Sequence, residues 1–263
     1  MKNKVFDSFD EAVADIPDGA SIATGCWGLA SLSQNLIAAL KREGARDLTL
    51  IVHNIIPIPF NLIPALSSIE DQIADLTLLL PQLKKLITAV VGLQILGAGA
   101  FLKPYVEQGL EVELTSHGVL AARLFAGAAG FGAFYSPIGL GTILEKGKEK
   151  RVIDGKEYLL EMPIKPDYAF IRGNKADKLG NLVYKGVYRE DHPAMAMTAK
   201  VTIAEVDEIV EAGEIDPEEV VTPSVFVDRI VKVPAGGLGS PERGKTLLSK
   251  LSEMEAVRAL LFR

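Results

Sequence analysis

The sequence predicts an α/β protein, a single domain over residues 1–263 built on an open, mostly parallel sheet flanked by helices. Three observations predict it. Short apolar runs alternate with stretches of helical periodicity through the first 140 residues or so, which is the signature of strand–helix–strand units. The runs Leu48–Val52 and Ile87–Val91 are apolar without alternation, as in strands covered on both faces. Glycine-rich junctions follow a strand candidate at Gly25–Gly28 and a helix candidate from Gly127 to Gly141, where the chain can turn tightly and backbone N–H groups can approach a ligand.

The elements follow in order. Ser8-x-x-Glu11 is a capping box that opens a helix through Ala14, stopped by Pro17. Asp18-Gly19 turns into a strand over Ala20–Thr24, and a helix starting near Ser31 or Ser33 carries Leu32, Leu36, Ile37 and Leu40 on one face and ends at Gly44. Leu48–Val52 is the next strand. Prolines 57, 59 and 64 exclude regular structure beyond it, with a helix expected over Glu70–Leu80. A strand at Ile87–Val91, a helix at Ala100–Gln108 and a strand at Glu111–Leu114 come next. A helix then begins beyond Gly118 with Leu120 and Leu124 four apart, and dissolves into a loop carrying Gly127, Gly130, Gly132, Gly139 and Gly141. Asp154-Gly155 marks a hairpin, Tyr168–Arg172 a strand, Lys175–Asn181 a loop and Lys200–Val206 a strand. Ser240-Pro241-Glu242 starts a C-terminal helix spanning about 241–263.

Composition narrows the function. Charged residues make up 24% and hydrophobic ones 48%, an ordinary globular balance that excludes a disordered chain. A net charge of −6 with one basic cluster, Lys146–Arg151, argues against nucleic acid as a partner. The uncharged runs Leu48–Ile69, Leu86–Leu102 and Leu124–Leu144 are broken by prolines, glycines or polar residues, so no membrane span is expected. Cys26 is the only cysteine, which excludes an intrachain disulfide and a cysteine metal site and makes the cytoplasm the expected setting. Cys26 itself reads as a packed small residue.

Several stretches, in order, carry a resemblance: D-G-A-S-I-A-T-G-C-W-G, then E-L-T-S-H-G-V-L-A-A-R-L-F-A-G-A-A-G-F-G-A-F-Y-S-P-I-G-L-G-T, then D-Y-A-F-I-R-G-N-K-A-D-K-L-G-N-L-V-Y, then A-M-A-M-T-A-K-V-T-I-A-E-V-D-E-I-V and T-P-S-V-F-V-D-R-I-V. Together they resemble the A (alpha) subunit of family I coenzyme A transferases, the 3-oxoacid type, over residues 5–232. The resemblance implies a fold shared with sugar-phosphate isomerases and a hetero-oligomer with a B subunit carrying the catalytic glutamate. Acyl-CoA and a carboxylic acid would be the substrates, and no permanently bound cofactor is implied. The family's Ser-Glu-Asn-Gly nucleophile motif is absent; Glu107-Gln-Gly109 and Glu211-Ala-Gly213 are the nearest strings and read as surface glutamates. No catalytic residue is therefore expected in this chain. The resemblance puts Gly25, Gly28, His53, Asn54 and His117 along the acyl pocket, with Gly139, Gly141 and Thr142 as an adjoining wall.

The chain departs from the pattern in informative places. Cys26, Trp27, Ser31 and Ser33 replace glycine, phenylalanine, glycine and proline of the first motif. His53-Asn54 stands for Asn-Asn, and Thr115-Ser116-His117-Gly118 for Thr-Pro-Gln-Gly. Two imidazoles thus replace amides, able to attract a carboxylate or shuttle protons, or simply to fill an amide's space. His192-Pro193, where the family has Asn-Pro, reads as a structural turn. These departures keep open a CoA-thioester hydrolase or ring-opening subunit of the same fold, and a non-catalytic ligand-binding subunit.

Overall fold

In the computed structural model, residues 3–25, 31–55, 76–92 and 99–242, with positions 245 and 249, are described. Cys26, Gly28, most of the segment between Ile55 and Leu83 and most of the stretch beyond Glu242, where a C-terminal helix is expected, lie outside them.

The strands are β1 Ser21–Thr24, β2 Leu48–Ile55, β3 Leu83–Val91, β4 Glu111–Leu114, β5 Phe134–Ser136, β6 Lys150–Ile153, β7 Lys156–Glu161, β8 Tyr168–Asp177, β9 Leu182–Val183, β10 Val201–Val210 and β11 Arg229–Lys232. The α-helices are α1 Phe9–Val13, α2 Gln34–Glu43, α3 Lys103–Glu107, α4 His117–Ala128 and α5 His192–Thr198. The main sheet runs β11-β10-β8-β1-β2-β3-β4, with β9 folded back on β8. Its neighbouring pairs along that path are parallel, and among the described strands of this sheet only β9 runs antiparallel. A separate antiparallel unit has the order β5-β7-β6.

Both faces of the sheet are covered. Leu50, Val52, Ile22 and Phe170 join Leu36, Ile37 and Leu40 of α2 in one core. Their strand neighbours Ile51, Ala23 and Ile171 join Leu120 and Leu124 of α4 and Met195 of α5 in the other. Side chains alternate sides along a strand, so burial on both faces demands the unbroken apolar runs seen in the sequence. Helix ends follow their local signals. The Ser8 hydroxyl accepts from the Glu11 N–H at 3.1 Å, Ser116 accepts from the Val119 N–H at 3.2 Å, and Gly44 closes α2 at φ 82°.

Elsewhere the structure corrects the sequence reading. Leu76–Gln82, read as the end of a helix from Glu70, is a 3₁₀ segment with Pro81 inside it, burying Leu76, Leu79 and Leu80. Lys175–Asp177, read as loop, extends β8, because Ala176 enters the core and pairs with Leu182. The turn comes later, where Asp177 Oδ1 accepts from the N–H groups of Leu179, Gly180 and Asn181. His192-Pro193, read as a structural turn, opens helix α5, since proline fits a first helical turn, and strand β11 lies between Pro223 and Pro234, which hid it.

Two packing details carry predictions. At Gly127 a Cβ would stand 2.2 Å from the Ile164 carbonyl oxygen and 2.2 Å from Thr198 Oγ1, so α4 meets the α5 side of the core at its backbone. Gly127→Ala is expected to lower stability in urea by ~1–3 kcal/mol, the usual cost of overpacking. Asp167, just before β8, accepts from the Ser21 N–H at 2.9 Å, the Ser21 hydroxyl at 2.6 Å and Lys200 at 2.7 Å. Partial burial works to raise its pKa, but Lys200 and Ser21 outweigh burial and hold it at about 2. Its folded pKa lies below the ordinary aspartate value of about 3.9, so the stabilisation is full above that value and fades as pH falls toward 2. Asp167→Asn should flatten the dependence of unfolding on pH in that interval.

Candidate active site

The chain order along the sheet reverses between β1 and β8. Crevices at the carboxyl ends of strands beside such a reversal are where open α/β sheets bind ligands. Gly25 follows β1, His53 lies near the carboxyl end of β2, and His117 follows β4 and opens α4. At this edge all three histidines of the chain come together with the turn Glu190-Asp191-His192.

His53 is 2% exposed. Its Nε2 lies 2.5 Å from Asp191 Oδ2, and its Nδ1 lies 3.1 Å from His117 Nδ1. The two rings stack, 5.3 Å between centroids and 19° from parallel. Proton positions follow from the partners. A carboxylate only accepts, so His53 Nε2 carries a hydrogen; in the tautomer in which His53 Nδ1 accepts from the N–H of His117 Nδ1, the lone pair of the His117 ring is on Nε2. His117 is half-buried. Burial first, and then His53, push its pKa below the ordinary imidazole value, against Asp191 and Glu190, which pull the other way. A neutral His117 is a base at neutral pH.

His192, the first residue of α5, is fully buried, and its Nδ1 lies 3.1 Å from the Arg172 carbonyl oxygen. Its Nε2 has no hydrogen-bond partner among the described residues. Burial lowers its pKa, opposed by Glu190. A Cβ at Gly25 would stand 1.9 Å from His192 Nε2 and 2.7 Å from Glu190 Oε2. Gly25 is thus a glycine because imidazole and carboxylate occupy the space beside it. The Glu190 side chain is 1% exposed, and its backbone holds φ at 29°, a positive value that non-glycine residues reach at a cost.

A charged network adjoins this edge through Arg172, whose backbone meets His192. Glu205 of β10 is buried, and its carboxylate accepts from the N–H groups of Asn35 at 3.0 Å and Leu36 at 3.2 Å and from the Asn35 side chain at 2.8 Å. A strand residue therefore caps the N-terminus of α2, whose own Ser33 makes no side-chain cap. Arg172, fully buried, lies 3.9 Å from Glu205, binds Asp207 and sits 4.8 Å from the centre of the Tyr188 ring.

Comparison with known proteins decides the family. The sequence pattern described as Coenzyme A transferase matches residues 6–233. The chain belongs to the coenzyme A transferase family. It is 40% identical over 240 residues to the A subunit of the 3-oxoadipate CoA-transferase of Pseudomonas putida, covering 91% of this chain and 98% of the relative. The solved structure of a variant of the decarboxylase AibA/AibB superposes with a TM-score of 0.70 at 28% identity and full coverage of both chains. The acyl-CoA transferase YdiF of E. coli O157:H7 superposes with a TM-score of 0.75 at 23% identity and shares the fold; the match covers 91% of this chain and 49% of YdiF.

The described residues that the transferase pattern leads one to expect at the pocket fall on two parts of the fold, the carboxyl edge of the main sheet and the antiparallel unit. Gly25, His53 and His117 meet at one edge, joined through Asp191 and Glu190. Asn54, half-buried, follows His53 on β2 opposite Val90. Gly28 lies outside the described residues. Gly139, Gly141 and Thr142 sit on the loop after β5, in the antiparallel unit. There the Thr142 hydroxyl donates to the Gly139 carbonyl at 2.7 Å and the Gly141 N–H donates to Glu145 at 2.7 Å. Glu107 and Glu211 are both exposed, 65% and 66%, and pair with Lys103 and Lys178. Sequence reasoning missed Glu190, Asp191 and the burial of His192. The run E-D-H ahead of Pro193 was the available signal, and it resembles an ordinary polar helix start. Among the described residues no group of three or more histidine, cysteine or acidic side chains is arranged to hold a metal ion.

Proposed function

We propose that this chain is the A subunit of a two-subunit CoA-transferase that moves CoA from an acyl-CoA to a 3-oxo acid in the cytoplasm. One observation carries the reading: likeness to an A subunit over nearly the whole of both chains, in a chain without the Ser-Glu-Asn-Gly motif. The attacking carboxylate is then the partner's. It adds to the thioester carbonyl and expels CoA thiolate, giving an acyl anhydride; the thiolate attacks the glutamyl carbonyl and releases the donor acid. The acceptor carboxylate reverses both steps, so the thioester energy is kept throughout.

This chain would supply the other wall of the cleft. The loop after β1, beginning at Gly25, with His53, Asn54 and His117 would line the acyl group, and backbone amides there would stabilise the oxyanion formed on attack. Gly139, Gly141 and Thr142 would border it from the antiparallel unit. That unit and its flanks expose large apolar side chains, among them Phe131 at 60%, Ile143 at 78% and Val152 at 64%, which supports burial against a second subunit. The test is co-expression with a B chain, addition of acyl-CoA, and borohydride reduction followed by mass spectrometry. The expected modification is one reduced glutamate on the companion; modification of this chain, or of neither, contradicts the proposal.

A further inference from the structure

CoA transfer as written moves no proton: RCO–SCoA and R′COO⁻ become RCOO⁻ and R′CO–SCoA, and every step trades a carboxylate for a thiolate or the reverse. The site nevertheless holds a continuous hydrogen-bonded series, Asp191 to His53 at 2.5 Å and His53 to His117 at 3.1 Å. Its inner ring is buried and its outer ring half-exposed. Amides at 53 and 117 would satisfy hydrogen bonds but could not pass a proton; two imidazoles can. A proton taken up at His117 Nε2 releases the one on Nδ1 to His53, and the positive charge comes to rest against the Asp191 carboxylate. This is the carboxylate–imidazole arrangement of acyl-transfer triads lengthened by one ring.

We propose that His117 is a general base toward water, so that the enzyme also hydrolyses the acyl thioester, with His53 and Asp191 as positioning residues. The inference rests on the reading above for the presence of an acyl-CoA in the cleft. The water oxygen bonds to the thioester carbonyl carbon while its proton passes to His117 Nε2. The C–S bond then breaks, and the departing thiolate takes that proton back. The products are the acid, which ionises, and CoA thiol; no oxidant or further reactant is needed. Water is the proton donor because the accepting end of the series is the ring that solvent reaches. Among the described residues, the titratable groups facing His117 are His53 from β2 and Asp191 and Glu190 from the turn ahead of α5, and burial outweighs the two carboxylates in keeping it neutral.

The test uses the assembled two-subunit enzyme with acetoacetyl-CoA in ¹⁸O-water, without acceptor and then with succinate, reading thiol release and label in the acid. Hydrolysis without acceptor is expected, rising with pH as His117 loses its proton, with a midpoint below the ordinary imidazole value. In His117→Gln the ratio of hydrolysis to transfer should fall about 100-fold, a usual share for a general base. In Asp191→Asn the midpoint should move further down, because the carboxylate that favours the cation is gone; a merely structural role would leave it in place. Transfer accompanied by no hydrolysis, or by hydrolysis with the same ratio in His117→Gln and the same midpoint in Asp191→Asn, overturns the inference and spares the transferase reading. Hydrolysis of this kind without transfer does the reverse.

Discussion

Gly25→Ala should cost the assembled enzyme at least about 100-fold in kcat/KM, on the scale expected when reacting groups are displaced by about an ångström. The new methyl would lie 1.9 Å from His192 Nε2 and 2.7 Å from Glu190 Oε2, far inside contact distance. Neither neighbour yields easily. His192 is fully buried with its other nitrogen held at the Arg172 carbonyl, and Glu190 has a buried side chain on an unfavourable backbone conformation. The loop that starts at Gly25 must therefore move, and this loop is the proposed acyl pocket. Stability should fall as well, by ~1–3 kcal/mol. Trimming the obstacle in Gly25→Ala/His192→Ala should restore part of that stability without restoring turnover. Wild-type melting and kcat/KM in the single variant would contradict the packing argument.

The largest expected effect on folding is at Arg172. Arg172→Met keeps the length of the side chain but leaves Glu205 buried without its counter-charge. Burial already pushes the pKa of Glu205 up, against Arg172 first and then the hydrogen bonds from Asn35 and Leu36. Removing one member of a buried ion pair costs ~3–5 kcal/mol, because the remaining charge is stranded. The loss should spread to the site, since Glu205 anchors the N-terminus of α2 directly after the first glycine loop. Adding Glu205→Gln to Arg172→Met removes the stranded charge and should recover a substantial part of the urea midpoint. An Arg172→Met midpoint equal to wild type would show that the network holds nothing together.

What was legible in the sequence was what depends on neighbours a few residues away. Ser8, Gly44 and Ser116 mark helix ends because capping is local. Leu48–Val52 reads as a doubly covered strand because alternate side chains enter opposite cores. His53 and His117 stood out as imidazoles in place of amides. Their connection was not legible, because His53 meets Asp191 across 138 positions of chain, and Glu205 meets Asn35 across 170. Gly25 was picked out for backbone access, while the structure assigns it a second reason: the space beside its Cα is taken by His192, whose burial no local pattern signals. Helix α5 is short, His192–Thr198 with Pro193 in its first turn, so its periodicity had no length in which to show.

The central claim is that this chain supplies half of a cleft and that the attacking carboxylate belongs to another polypeptide. It is tested most directly by assaying CoA exchange between acetoacetate and succinate with the purified chain alone and after titration with its B subunit. Exchange should be absent from the single chain and should rise with added partner until the two chains are equimolar. Exchange by the homogeneous chain, at a rate that added partner leaves unchanged, would contradict the account.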